Sequence, residues 1–305
     1  MTEYATVGCY MKVGIVGYGN VGKALYKLVK DDKFLQLVAV FSRRRISLAE
    51  YIPFDELQSY RGKIDLLLLA LGSYDDIERN VQSVVGFDTV DCFDNHAKIA
   101  SYKKMLNEIN GKNLSVVAIG WDPGILSLLR ALFDFGTMPV TIWGEGVSQG
   151  HSNAIRTIDE VIDGVQFTIP KGDAMEQINN GERDAAKLHK RVCYVACVES
   201  AKQQVERKIK TMPHYFDGYE TEVVFCTAQQ VRKLKQKSSH CGKVISNGQD
   251  FSCEGVVKMQ NNATFTAKTM IRYAKIVTKL KRDGYLGAVD VLDIPLKYLT
   301  ENGVL

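Results

Sequence analysis

Apolar residues in the first part of the chain fall into short runs, each followed by a stretch with helical spacing. Val13–Val16, Leu35–Phe41, Ile64–Ala70, Thr89–Phe93 and Leu114–Ile119 read as strands. Val21–Lys30, Asp75–Val85 and Ala97–Asn110 repeat their apolar positions every three to four residues and read as helices. The run Ile64-Asp-Leu-Leu-Leu-Leu-Ala70 is almost wholly apolar, as a strand covered on both faces must be. Alternation of this kind predicts an α/β fold, with a doubly wound parallel sheet and the carboxyl ends of its strands on one edge.

The pattern changes after Gly124. Ile125–Phe135 reads as an apolar helix, Val140–Val147 as a strand and Ala154–Val161 as a short helix. Gly164–Ile169, Val192–Val198 and Glu220–Cys226 are strand-like, which predicts a mixed α+β domain. Gln229–Gly242 is polar and lysine-rich and reads as an exposed loop or frayed helix. Phe265–Arg282 has the period of one long amphipathic helix, and Ala288–Ile294 that of a final strand. The expected division is a dinucleotide-binding domain at 1–122 and 266–305, and a substrate and dimerisation domain at 123–265. The first ten residues carry no pattern and read as an appendage before Met11.

The first strand ends in Gly17-Tyr18-Gly19-Asn20-Val21-Gly22, the G-x-G-x-x-G arrangement between a strand and a helix. There the first glycine allows a tight turn, the second admits a pyrophosphate to the backbone, and the third lets helix and strand pack closely. Strand two ends in Phe41-Ser42-Arg43-Arg44-Arg45 and carries no carboxylate for a ribose 2′-hydroxyl. Arginines and a hydroxyl at that place suit a 2′-phosphate, so the expected cofactor is NADP; a solvated basic turn is the bland alternative.

Composition narrows the class without adding chemistry. The chain has 305 residues, 46% hydrophobic and 24% charged, with a net charge of +4 spread along its length. That balance does not point to nucleic acid. Seven cysteines show no paired spacing, which suits a reducing cytoplasm, and no metal-ligand spacing joins them to histidine. No apolar run approaches the length of a membrane span.

Two stretches follow strands on the expected ligand edge, Asp91-Cys-Phe-Asp94-Asn-His96 and Gly120-Trp121-Asp122-Pro-Gly124. Asp94 and Asp122 read either as carboxylates for a substrate ammonium or as helix N-caps. Trp121 reads as a pocket wall or as core. Trp143-Gly-Glu-Gly146-Val-Ser-Gln149-Gly150-His-Ser152 is too rich in glycine for a strand and reads as a loop able to approach a ligand, or as one without a partner.

These stretches, with Thr211-Met-Pro213 and Asn262 before Phe265-Thr-Ala267, resemble the meso-diaminopimelate D-dehydrogenase family from about Met11 to the Asp293-Ile-Pro295 region. The resemblance implies a Rossmann-type nucleotide domain to which the last helix returns, and a homodimer. It implies NADP-dependent oxidative deamination of the D-centre of meso-2,6-diaminopimelate, serving lysine and peptidoglycan precursor synthesis. It implies that Asp94 and Asp122 meet the D-amine with Trp121 beside them, that Gln149 and Gly150 line the D-end, and that Trp143 walls the pocket. It implies that Thr168, Arg191, His240 and Asn262 grip the L-centre. From the residues alone, Thr168 reads as an ordinary strand residue and Arg191 as one charge in the Lys187–Arg191 run. Where the family often carries His-x-Gly-Met-Pro-His-Gly-Gly, this chain reads Ser238-Ser-His240-Cys-Gly242-Lys243, and Lys98 stands where some members carry an acid. A broader D-amino-acid dehydrogenase and a non-catalytic NADP-binding protein are the rival readings.

Overall fold

The structure is a computed structural model that describes residues 10–72, 79–236 and 239–300. Its contacts divide the chain into two units, Met1–Gly124 with Ala263–Leu305, and Ile125–Asn262. Residues 1–9 of the appendage expected before Met11 and the first four residues of the helix expected at Asp75–Val85 lie outside the described residues; of the rest of that helix, Arg79 and Asn80 are helical and Val81–Val84 forms a 3-10 turn.

The first unit is built on seven parallel strands: β1 (Met11–Val16), β2 (Leu35–Ser42), β3 (Tyr51–Pro53), β4 (Leu66–Leu69), β5 (Asp88–Asp91), β6 (Leu114–Val116) and β14 (Gly287–Val289). They lie in the order β14-β6-β5-β4-β1-β2-β3. Every residue of β4 is buried, as are Val13, Ile15 and Val16 of β1, which explains the near-continuous apolar runs. The order reverses at the β4–β1 pair, where sheets of this kind bind ligands at their strand ends. Helices α1 (Asn20–Lys30) and α2 (Ile99–Asn110) are the crossovers that the period predicts. The expected long helix at Phe265–Arg282 is broken into α9 (Asn262–Ala274) and α10 (Val277–Arg282). The last strand is shorter than expected. After Val289 the chain turns, with the Leu292 amide donating to Asp290 and Lys103 Nζ bridging Asp290 and Asp293 at 2.8 and 2.5 Å.

The second unit holds two sheets. One has four strands in the order β11-β10-β9-β8, namely β8 (Gly146–Ser148), β9 (Val161–Pro170), β10 (His189–Cys197) and β11 (Glu220–Phe225). The other has the order β13-β12-β7, with β7 (Val140–Trp143), β12 (His240–Asn247) and β13 (Ser252–Met259). Helices α3 (Ile125–Leu132), α4 (Gln149–Ile155), α5 (Ala174–Asn179), α6 (Ala185–Leu188), α7 (Lys202–Lys210) and α8 (Ala228–Lys235) complete it. Ala154 and Ile155 of α4 and Val205 and Ile209 of α7 pack with Cys193 and Val195 on one face of β10, while Val231 of α8 joins Val147, Val165 and Phe167 on the other.

Three expectations for this unit are corrected. The helix expected at Ala154–Val161 starts earlier, at Gln149, because the Ser148 side chain caps it by accepting the His151 amide, and Val161 opens β9 instead. The glycine-rich stretch from Trp143 to Ser152 is the end of β7, a two-residue link, all of β8 and the first four residues of α4, rather than one loop. The polar stretch Gln229–Gly242 is largely ordered: Thr227 and Gln230 form a capping box for α8, and His240 begins β12, buried rather than in an exposed loop.

Candidate active site

Beta-strand one ends in the glycine turn. Gly17 has φ +96°, and a Cβ there would lie 2.6 Å from the Ala70 carbonyl oxygen at the end of β4, so only glycine fits. A Cβ at Gly22 would collide with the Gly17 carbonyl. Gly19 differs: a Cβ there meets nothing within 4 Å, so its backbone stands open at the start of α1. That helix has eleven residues, no side-chain cap, no acid in its first turn and Lys27 and Lys30 in its last. Its partial positive end faces the turn, the arrangement that binds phosphate groups. Tyr18 is braced edge-on against Tyr26, with ring centroids 6.0 Å apart, and Asn20 and Val21 open the helix. At the carboxyl end of β2, Ser42 Oγ accepts the Arg44 amide at 3.2 Å, and Arg43 and Arg44 are exposed. The residues therefore fit a dinucleotide with a phosphate at its 2′ position.

The next strand ends hold the two aspartates through a third. Asp91, the last residue of β5, is 0% exposed. Its Oδ1 accepts the Phe93 amide at 3.0 Å and the Ala118 amide at 2.9 Å, and its Oδ2 accepts the Tyr102 hydroxyl at 2.9 Å. One carboxylate thus ties down the start of the segment that carries Asp94 and the segment after β6 that leads to Trp121 and Asp122. Ala118 has φ 58°, a left-handed conformation for a residue with a side chain, and the Asp91 bond holds it there. Burial pushes the Asp91 carboxyl up to about 6, against the pull of its three donors. Asp94 is half-buried, and Asn95 rather than Asp94 occupies the cap of the 3-10 turn at His96–Lys98. The Asp122 carboxylate is almost covered and lies 3.6 Å from His96 Nε2.

In the second unit, strand register does the assembling. Gly146 of β8 pairs with Thr168 of β9, and Thr168 pairs with Arg191 of β10. Directly paired residues point to one face, so Thr168 and Arg191 share it. Arg191 Nη1 donates to Thr168 Oγ1 at 2.8 Å, and its guanidinium lies 4.1 Å over the Tyr219 ring. Gly146 leaves room for an imidazole on that face, since a Cβ would come within 2.5 Å of the His240 ring. His240 Nδ1 contacts the Cys241 carbonyl at 3.0 Å. Trp143 packs against His189, with ring centroids 5.1 Å apart, and donates its amide to His189 Nε2 at 2.9 Å. His189 Nδ1 donates to the Ala185 carbonyl at 2.8 Å, so this histidine is neutral, and burial pulls it down to about 4. Gln149 and Gly150 lie in the first turn of α4, and Asn262 is buried at the first position of α9.

Arg191 is 7% exposed, its Nε has no hydrogen-bond partner, and no carboxylate pairs with it among the described residues. Burial lowers its pKa, with Tyr219 acting in the opposite direction, yet a guanidinium stays charged at neutral pH. A buried cation without a counter-ion is costly, and an anionic ligand relieves that cost.

Sequence reasoning missed Asp91, Tyr219, Gln166 and His189. Asp91 carried one readable signal, a carboxylate closing an otherwise apolar strand. Tyr219 and His189 had none, because Arg191 and Trp143, which they pack against, are distant from them in the chain. Among the described residues, no group of three or more His, Cys, Asp or Glu is arranged to hold a metal ion, and no helix is long and apolar enough to cross a membrane.

Residues 120–262 match the family described as the C-terminal domain of diaminopimelic acid dehydrogenase. The meso-diaminopimelate D-dehydrogenase of Ureibacillus thermosphaericus is 36% identical over 313 residues, covering 95% of each chain. That of Corynebacterium glutamicum is 34% identical over 299 residues, covering 93% of each. Among solved structures, C. glutamicum DAP dehydrogenase in complex with DAP superposes with a TM-score of 0.88 at 32% identity, covering 96% of both chains. An engineered D-amino acid dehydrogenase bound to NADP+ reaches 0.87 at 30% identity, over 97% of this chain and 98% of that one. With identity of this level over nearly its whole length, the chain belongs to the meso-diaminopimelate D-dehydrogenase family.

Proposed function

We infer that this protein catalyses the NADP-dependent, reversible oxidative deamination of the D-centre of meso-2,6-diaminopimelate. The products are L-2-amino-6-oxopimelate, ammonia and NADPH, a step of diaminopimelate and lysine biosynthesis. The observation that carries the reading is Arg191, a buried guanidinium with an unpaired Nε and no carboxylate partner among the described residues.

NADP, when bound, accepts the hydrogen and the electron pair released at the D-carbon. The turn Gly17–Gly22 with Tyr18, Asn20 and Val21 binds its pyrophosphate, and Ser42, Arg43 and Arg44 bind its 2′-phosphate. The first unit is thus the dinucleotide-binding domain, and the second binds the L-centre and dimerises.

Asp94 and Asp122 bind the D-ammonium, with Trp121 walling that end. One of them takes the ammonium proton, because only a neutral amine can release electrons toward the forming C=N bond. The aspartates then stabilise the positive iminium until water adds and ammonia leaves. Gln149 and Gly150 orient the D-end, and Trp143 lines the pocket. Arg191 holds the distal carboxylate in its two-pronged fork while Thr168, His240 and Asn262 complete the L-centre grip. A substrate without that carboxylate leaves buried donors unpaired, which is how the site selects its substrate.

We place the enzyme in the cytoplasm as a homodimer. Support for the compartment comes from Cys92, Cys193, Cys197, Cys226, Cys241 and Cys253, all free thiols. Light scattering of the purified protein tests the dimer. NADP reduction with meso-, LL- and DD-diaminopimelate and with D-alanine tests the reaction. Turnover confined to the meso isomer is the expected result, and no turnover of that isomer overturns the assignment. Replacing Arg43 and Arg44 by alanine should raise KM for NADP about tenfold or more while KM for NAD barely moves; equal effects would remove both residues from the 2′-phosphate site.

A further inference from the structure

Thr168 Oγ1 receives two donors. Arg191 Nη1 donates to it at 2.8 Å and Gln166 Nε2 donates to it at 3.2 Å. A hydroxyl has two lone pairs and one hydrogen. With both lone pairs occupied, the hydrogen must point away from both donors, and no described residue accepts it. The hydroxyl is therefore a donor waiting for an acceptor, on the face it shares with an arginine that has no counter-ion among the described residues.

Gln166 imposes this arrangement. It lies on β9 two residues before Thr168 and so on the same face, paired with Cys193 of β10 and Ser148 of β8. Its backbone amide donates to Ser152 Oγ at 2.9 Å, which fixes its place on the strand. It is wholly buried, and its Oε1 has no hydrogen-bond partner. Leaving a buried acceptor unpaired is unfavourable, and such groups persist where a site needs them. Without the Gln166 amide, one lone pair of Thr168 would be free and the hydroxyl could turn its hydrogen away from the ligand.

We propose that Gln166 is a positioning residue for substrate recognition: by filling the second lone pair of Thr168, it makes that hydroxyl an obligate donor to the distal carboxylate held by Arg191. This rests on the reading of Arg191 and Thr168 as the distal-carboxylate site. It adds that anion selectivity there is set partly by a side chain that need not touch the substrate.

The test is a double-mutant cycle on the full-length enzyme with Gln166→Met, which keeps volume, and Thr168→Val, which keeps shape. KM and kcat for meso-diaminopimelate are measured, together with its Kd by calorimetry on the NADP-loaded protein and the melting temperature of each variant. Thr168→Val is expected to raise KM and Kd about tenfold, and Gln166→Met about fivefold, with kcat and KM for NADP unchanged. The double variant should bind no worse than Thr168→Val alone, because Gln166 acts only through that hydroxyl. If Gln166→Met leaves KM and Kd unchanged or lowers them, the hydroxyl is not directed by Gln166 and the proposal fails. If the two effects simply add, or kcat and NADP binding fall in parallel with affinity, Gln166 has a merely structural role and the proposal fails again. Turnover by the unmodified protein tests the function separately. An intact binding cycle in a protein that does not turn over would remove the reaction and keep the directed hydroxyl.

Discussion

Asp91 in the first unit and Arg191 in the second are both ionisable groups taken almost entirely out of water, and their surroundings treat them in opposite ways. Asp91 is saturated. Two backbone amides and a tyrosine hydroxyl occupy its oxygens, and all three come from its own unit. Arg191 is left short: it has one hydroxyl, one aromatic face and an Nε with nothing to bond. Saturation makes Asp91 an architectural charge whose work, joining the segments of Asp94 and Asp122, is complete once the chain folds. Under the proposed function, the shortfall at Arg191 makes it a binding charge whose partner arrives from solution. Burial by itself distinguishes neither role; the count of unmet bonds does.

The largest expected effect breaks this contrast at its unsaturated end. Arg191→Met should raise KM for meso-diaminopimelate by about a hundredfold or more, because a desolvated charge-paired hydrogen bond is lost. NADP binding should not change. The melting temperature should hold or rise, since an apolar side chain replaces a buried charge that folding had to desolvate. A marked fall in melting temperature would mean that Arg191 is paired within the protein and serves structure.

Asp91→Asn should do the reverse. Its oxygen can keep both backbone amides, but its NH2 then stands against the Tyr102 hydroxyl from which Oδ2 accepted, at a stability loss of about 2 kcal/mol read by denaturant unfolding. The same substitution should lower kcat about tenfold with little change in KM, because it loosens the segments that hold Asp94 and Asp122. Full activity in Asp91→Asn would show that those segments are placed by something else.

The smallest effect is a partial cancellation with pH. Asp91 is pushed up to about 6, so the folded state holds its proton more tightly, and its contribution to stability is lost as pH rises from about 4 to 6. His189 is pulled down to about 4, so its contribution is present above its ordinary range and is lost as pH falls toward 4. The two slopes oppose each other across the same window. Melting temperature followed from pH 6 to 4 should fall more steeply in Asp91→Asn than in the unmodified protein, and less steeply in His189→Gln. Parallel curves for all three would remove both groups from the acid response.

Much of the first unit was legible in the chain because its signals are local. A strand, the three glycines of the turn (Gly17, Gly19 and Gly22) and a helix lie within Met11–Lys30, and each residue's reason is met by neighbours a few positions away or by the next strand of a regular sheet. The basic end of β2 is likewise readable where it stands, at Ser42-Arg43-Arg44. The second unit was far less legible. Arg191 closes a run of charges that reads as a solvated surface, and Gln229–Gly242 holds too few apolar residues to announce a helix and a strand. Val231 and the β12 register settle that stretch, and both depend on partners far along the chain.

By itself, then, the sequence determined the class of fold, the dinucleotide turn, the preference for a phosphorylated ribose and, through its motifs, the family. Only the tertiary structure decided which charges are buried and which of them are satisfied. Arg191 meets Thr168 across 23 residues of chain, Gly146 owes its missing side chain to the ring of His240, and the Gln166 amide donates to the Thr168 hydroxyl, a contact that neither sequence period nor spacing describes. Strand pairing brings such groups together, and whether a charge is an anchor or a binding site depends on the bonds left over after that pairing, a property of neighbours in space that local pattern does not encode.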